Sequence, residues 1–325
     1  AKKHIIRFAI SLILLVFIAL IDLKILYKYS YYIFLLCLLL LLSVEIIGTI
    51  GKGAERWISI FGISLQPAEL IKISIIMALA KYYHNLRIHN IGKIHNLIFP
   101  IMLISLPFIL IIMQPDLGTA ITIVLLGISI MFLAGVKIWK FVLGIIVMLI
   151  SLPFLWKIIQ PYQQRRILSF LNPESDPLGV GYQLIQSKIA LGSGGLNGKG
   201  FLEGTQSYLE YLPEKQTDFI FTLIGEEFGF IGTIFIISLF FLLILIAFYI
   251  SIKNQHVFGR ILSLGVAINL FLYIMFNMAM VVGLMPVVGI PLPLISYGGT
   301  AMLSIMISFG LLLNVEINYN YIKLN

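Results

Sequence analysis

Between Ile261 and Val315 the chain carries no charged side chain at all. In a bilayer every backbone N–H and C=O must find its partner inside the protein, so an apolar run of this kind folds as helix. The run is too long for one crossing of about 20 residues. Gly283–Gly299 (GLMPVVGIPLPLISYGG) divides it into two. Proline and glycine there free backbone groups that lipid cannot satisfy, so the break must lie within protein, in a cavity or at the interface.

The rest of the chain repeats this pattern. Asn96–Pro115, Leu117–Val136 and Phe228–Ile252 are further uncharged runs of spanning length, and Phe8–Ile21, Ser30–Val44 and Phe141–Trp156 are shorter ones with apolar flanks. Pro67–Tyr83 also reads as a span although it holds Glu69 and Lys72. The expectation is an all-α, polytopic transmembrane bundle of about nine helices. Residues 1–325 then form a single membrane domain, with residues 157–218 as one long structured extracytoplasmic loop. With 60% hydrophobic and only 11% charged residues, a soluble globular fold is excluded. The single cysteine, Cys37, excludes a disulfide framework or a cysteine metal cluster. The net charge of +8 suits a membrane protein with basic residues on one face and does not call for nucleic acid.

Charge asymmetry orients the bundle. Loops after the first, third, fifth and seventh spans, with the C-terminal tail, carry Lys24, Lys28, Lys81, Arg87, Lys93, Lys137, Lys140, Lys253, Arg260 and Lys323 against Asp22 and Glu316. The opposite short loops hold Lys52 and Arg56 against Glu55 and Asp116. The positive-inside rule makes the first set cytoplasmic and the loop at 157–218 external. Lys2, Lys3 and Arg7 then fall outside, and the chain starts at alanine, so an upstream segment, such as one more helix, is expected.

Within the loop, Tyr182–Leu191 reads as a short amphipathic helix, with Leu184, Ile185 and Ile189 on its apolar face. The glycine-rich Gly192–Gly200 (GSGGLNGKG) lacks the ending of a nucleotide-binding phosphate loop. It reads either as an anion-binding nest of backbone N–H groups or as a flexible connector. Asp218 stands where the polar loop meets the next span. It is either a helix cap or a general base acting on a substrate hydroxyl. Glu214 is nearby, and Glu226 and Glu227 follow two turns on, where facing lipid would be costly.

Glu69 and Lys72, three apart, share a helix face and can pair. Gln66-Pro67 and Gln114-Pro115 each precede an acid, Glu69 and Asp116, which is ordinary helix-start chemistry. It does not explain Lys72, a cation near the positive end of a helix dipole, so Lys72 is a site candidate. Arg165 and Arg166 in the loop suit phosphate recognition or interfacial snorkelling. His84, His89 and His95 share a cytoplasmic loop but match no zinc spacing, and no histidine beyond His4 stands on the outer face to build a Ser-His-Asp set. Residue chemistry alone therefore leaves a charged outward-facing site on a membrane protein, serving an enzyme for an anionic lipid-linked substrate or a transporter.

Several stretches resemble a known family. Lys52–Trp57 (KGAERW), Gln66–Lys72 (QPAELIK), Gln114–Thr119 (QPDLGT), Asn172–Gly200, Gly204–Glu227 and Pro286–Gly299 (PVVGIPLPLISYGG) are similar to the SEDS family of shape, elongation, division and sporulation proteins. NPESDPLG, GKG and GTQS resemble its elongation member more than its division member. The resemblance implies a peptidoglycan glycosyltransferase of the bacterial cytoplasmic membrane that polymerises lipid II. It also implies a class B penicillin-binding protein and other elongation-complex membrane proteins as partners, and about ten helices, the first absent here. Carried over by position, it implies Asp218 as the essential, catalytic aspartate, and as substrate-binding residues the cavity charges Glu69, Lys72 and Asp116 together with Arg166 and Lys188. A divalent cation, magnesium or manganese, would share the pyrophosphate charge, although no all-protein metal cage is visible. The competing expectations are a lipid II flippase and a non-catalytic scaffold for the penicillin-binding protein.

Overall fold

The computed structural model describes residues 2–51, 54–60, 63–176, 179–208 and 216–318. Its helices are α1 (Lys2–Leu20), α2 (Leu23–Ile47), α3 (Pro67–Asn85), α4 (Ile94–Met113), α5 (Leu117–Leu133) and α6 (Ile138–Ile158). They continue with α7 (Pro161–Leu171), α8 (Val180–Ser193), the single turn α9 (Thr205–Tyr208), α10 (Ile220–Lys253), α11 (Val257–Val282) and α12 (Gly299–Ile317). The long helices coincide with the spans read from the apolar runs. Five of them, α2, α4, α10, α11 and α12, are long and apolar enough to cross a membrane, and α1, α5 and α6 contain shorter apolar stretches. The chain is a multi-pass membrane protein. Lys52, Glu214 and Lys323 lie outside the described residues.

One element was not foreseen. Thr49–Gly51 (β1), Ala54–Ile60 (β2) and Ile63–Leu65 (β3) form a three-stranded antiparallel sheet in the order β1-β2-β3. The sequence signal is weak, because only Ile58-Ser59-Ile60 and Ile63-Ser64-Leu65 alternate apolar residues with small polar ones.

Cα packing divides the chain into two compact units. One comprises Ala1–Leu152, Leu245–Leu270 and Gly299–Asn325; the other comprises Pro153–Ile244 and Phe271–Gly298. In the first unit α3 is buried along most of its length, and it packs on α2, α4, α5 and α12. α1 lies along α12, where Gly310 lets the backbones approach and Asn314 donates to the carbonyls of Ile18 and Ala19 at 2.8 and 3.3 Å. A small residue and an amide are the usual means of joining helices where lipid removes the hydrophobic drive. Arg7, one of the charges misplaced by the orientation, packs against Gly299 at the start of α12.

In the second unit α8 confirms the amphipathic helix but with a different inner face. Leu184, Ser187 and Ala190 are buried, while Ile189 is exposed. Ser187 Oγ shares a hydrogen bond with Thr222 Oγ1 at 2.8 Å and donates to the Val281 carbonyl at 2.9 Å. A fully bonded hydroxyl can occupy an inner face that the apolar pattern assigns to isoleucine.

The glycine-rich stretch after α8 is neither nest nor loose connector. It docks, backbone to backbone, on a break in α10. Gly229 sits at φ 64°, ψ −160°, a conformation essentially reserved for glycine. The break leaves helix groups without their intrahelical partners, and the loop supplies replacements. Phe230 N and Ile231 N donate to the Gly195 and Leu196 carbonyls at 2.9 and 3.2 Å. Lys199 N and Gly200 N donate to the Glu226 and Glu227 carbonyls at 3.0 and 3.1 Å. A Cβ on Gly198 would lie 2.1 Å from the Glu227 oxygen, so only glycine permits this approach. Glu226, 1% exposed, closes the lock by accepting from Lys199 Nζ at 2.8 Å, Gln206 N at 3.0 Å and Thr205 Oγ1 at 3.3 Å. Glu226 and Glu227 are thus buried in protein and do not face lipid.

Candidate functional site

The residues singled out in the sequence form two separate groups, one in each unit. The first begins at the N-termini of α3 and α5. Lys72 Nζ lies 2.9 Å from Glu69 Oε1, and Ser304 Oγ on α12 donates to Glu69 Oε2 at 3.1 Å. Glu69 and Lys72 are only 4% and 2% exposed, which shows a closed pair in this unit. Asp116, 6% exposed, caps α5 by accepting from Thr119 N at 3.3 Å and Thr119 Oγ1 at 3.0 Å. Gln66 Nε2 adds a bond to Asp116 at 3.3 Å, and Arg56 Nε lies 3.9 Å away. Arg56 also donates to the carbonyls of Gln114 and Pro115, tying the sheet to the α4–α5 turn. The two Gln-Pro-acid starts are therefore joined through Gln66 and Asp116, a link that spacing alone does not reveal.

The second group is organised by the break predicted from glycine and proline, here Gly283–Gly298. Three candidate residues meet it in order. Lys188 on α8 is exposed, and its side chain lies over Gly283, where a Cβ would stand 2.1 Å from Lys188 Cε. Gly283 has φ +77°, so a left-handed turn and a close approach both require glycine there. Arg166 on α7 donates from Nη1 to the Val287 carbonyl at 3.0 Å. Asp218 turns its carboxylate to Gly289, with Oδ2 3.4 Å from the place a Cβ would take. Val287 and Gly289 are two residues apart, so the guanidinium and the carboxylate converge on one short piece of backbone. Arg166 and Asp218 are both partly exposed. Arg165, its neighbour, is exposed.

Sequence reasoning missed the residues that hold this piece in place. Asn277 Nδ2 on α11 donates to the carbonyls of both Asp218 and Ile290, at 2.9 and 2.8 Å. Ser296 Oγ donates to the Thr217 carbonyl at 2.6 Å and accepts from Leu292 N at 2.7 Å, and Tyr297 N donates to the Gln216 carbonyl at 2.8 Å. The turn carrying Asp218 is thereby bound on its backbone side. A signal existed, since a polar amide such as Asn277 in a charge-free run is costly unless bonded. Asp176 does similar work upstream, accepting from Ser169 Oγ at 3.1 Å and from the backbone N–H of Gly181 at 3.4 Å, which sets the α7–α8 turn. Among the described residues no three histidine, cysteine, aspartate or glutamate side chains gather as metal donors.

Residues 1–321 match the FTSW_RODA_SPOVE family, described as cell cycle protein. The chain belongs to this family. It is 40% identical over 317 residues to the peptidoglycan glycosyltransferase MrdB of Escherichia coli strain K12, covering 97% of this chain and 85% of that protein. It is 42% identical over 274 residues to the probable peptidoglycan glycosyltransferase FtsW of Trichlorobacter lovleyi, covering 83% and 70%. Among solved structures, a chain from a peptidoglycan synthase complex that coordinates polymerization and crosslinking superposes with a TM-score of 0.86 at 26% identity, covering 99% of this chain and 90% of the other. The rod shape determining protein RodA of Thermus thermophilus shares the fold with a TM-score of 0.74 at 24% identity, covering 99% and 88%. The family resemblance read from the scattered motifs is thus borne out.

Proposed function

We propose that this chain is a peptidoglycan glycosyltransferase that joins lipid II disaccharides into glycan strands at the outer face of the cytoplasmic membrane, with the chemistry centred on Asp218. The observation that carries this reading is the convergence of Asp218, Arg166 and Lys188 on Gly283–Gly298. It combines a partly exposed base with two cations of the kind a diphosphate requires. In the reaction an acceptor sugar hydroxyl forms a bond to the donor's anomeric carbon, and the bond from that carbon to the diphosphate breaks. The Asp218 carboxylate takes the hydroxyl proton, a contribution of about two to four orders of magnitude in rate. The electron pair departs with the diphosphate, whose charge is met by the Arg166 guanidinium and the Lys188 ammonium. The backbone bonds from Asn277 and Ser296 hold the Asp218 turn in place, the pre-organisation that such a step needs.

Glu69, Lys72 and Asp116 take a different part. Their burial supports a positioning role at the starts of α3 and α5, with no direct contact to substrate in this conformation. A divalent cation would arrive on the diphosphate of the substrate, because magnesium is commonly held by substrate phosphates with few protein ligands. The partner is a class B penicillin-binding protein, which would cross-link the strands; the similar chain from a synthase complex that couples polymerization to crosslinking supports this.

The helix break also favours one other reading, a lipid II transporter, since broken helices line such sites. The deciding experiment supplies lipid II to the protein reconstituted with its partner in vesicles. Glycan strands are expected. Lipid movement across the bilayer without any glycan would reject the polymerase reading.

A further inference from the structure

The side assigned to the cytoplasm holds a second charged place that polymerisation does not use. An open cavity of about 970 Å³ lies where the α3–α4 loop meets the start of α6. Its polar lining is His89, Lys93, His95, Lys137 and Lys140, and no acid is among the lining residues. Two helices begin there, and their first turns are the reverse of normal helix chemistry. α4 starts after Lys93, with no side-chain cap and no acid in its first turn, and α6, which follows Lys137, has no acid in its first turn either. Cations at the positive end of a helix dipole are unfavourable unless an anion sits between them. Lys140 Nζ donates to the Gly92 carbonyl and lies 5.5 Å from the Trp139 ring, so the two loops are joined across the cavity.

The surroundings state which anion fits. Ile94, Ile98 and Trp139 also line the cavity, and they are 73%, 57% and 54% exposed. Large apolar side chains beside lysines at a membrane boundary match a molecule with an anionic head and hydrocarbon tails, and tryptophan is the residue of the headgroup level. We infer that this cavity binds the phosphate headgroup of an anionic phospholipid, with its acyl chains laid over Ile94 and Ile98. Lys93, Lys137 and the two free helix ends meet the phosphate; Trp139 marks the glycerol level.

The test uses the purified full chain in a neutral detergent and measures its thermal midpoint with added phosphatidylglycerol, phosphatidylcholine, inorganic phosphate or polyglutamate. Two variants accompany it. Lys93→Gln with Lys137→Gln removes charge. Gly92→Leu fills the cavity, and a Cβ there meets nothing within 4 Å, so the fold has room for it. Phosphatidylglycerol alone should raise the midpoint of the unaltered chain by roughly 4 °C, and both variants should lose most of that rise. Equal rises in the variants, or with phosphatidylcholine, would overturn the site. An equal rise with free phosphate would remove the lipid, and one with polyglutamate would assign the surface to an acidic protein segment.

Discussion

Glu69 and Lys72 keep 4% and 2% of their surface, whereas Asp218 and Arg166 remain partly exposed and Lys188 is exposed. Both regions place acids beside bases, yet they handle water differently. In the first the charges satisfy one another and Ser304, deep among helices, and the pair is expensive to desolvate. In the second the charges lean on backbone of the Gly283–Gly298 break and keep part of their surface open. A group that must take up a proton and a substrate each turnover needs the second arrangement. A group that must hold helix ends in register is served by the first.

That contrast can be broken by mutation. The largest stability effect should come from Lys72→Ala, which strands the Glu69 carboxylate and should cost about 3–5 kcal/mol. Replacing both partners, Glu69→Leu with Lys72→Met, should recover most of it in thermal unfolding, as apolar substitutes for buried ion pairs commonly do. If the double variant is as damaged as the single one, the pair does more than hold structure. Gly229→Ala should cost at least about 2 kcal/mol, because its backbone conformation suits only glycine and a Cβ would lie 2.3 Å from Gly198 N. Chemical denaturation would read this, and an unchanged midpoint would reject the docking of the glycine-rich loop. Arg166→Lys keeps the charge but loses the planar fork. It should raise the KM for lipid II by about tenfold with little change in thermal midpoint; an unaltered KM would separate Arg166 from the diphosphate. Thr119→Val should cost about 1 kcal/mol through its bond to Asp116, with polymerisation per folded molecule unchanged.

The two regions also differ in how far the sequence discloses them. Glu69 with Lys72, and Asp116 as a cap, follow from helical spacing and the Gln-Pro starts, because those interactions are local. The spans follow from the absence of charge, and the break at Gly283–Gly299 from its glycines and prolines. The association of Arg166 with Val287, across 121 residues, does not follow, because it is made to a carbonyl that every residue possesses. Asn277 and Ser296 were overlooked for the same reason, since their partners are backbone atoms of distant segments. The sheet at 49–65 and the break at Gly229 were hidden for another reason. Short β-branched stretches and single glycines look alike whether or not the backbone departs from helix there.

The most direct measurement is the rate of glycan formation from lipid II by the Asp218→Asn protein in complex with the proposed penicillin-binding partner, with the thermal midpoint recorded on the same preparation. The account predicts a rate at least about 100-fold lower, with the midpoint unchanged, because the turn is held through its backbone and the amide keeps the shape of the acid. Strand synthesis close to that of the unaltered complex would show that the proton goes elsewhere, and the assignment of chemistry to the partly exposed group would fail.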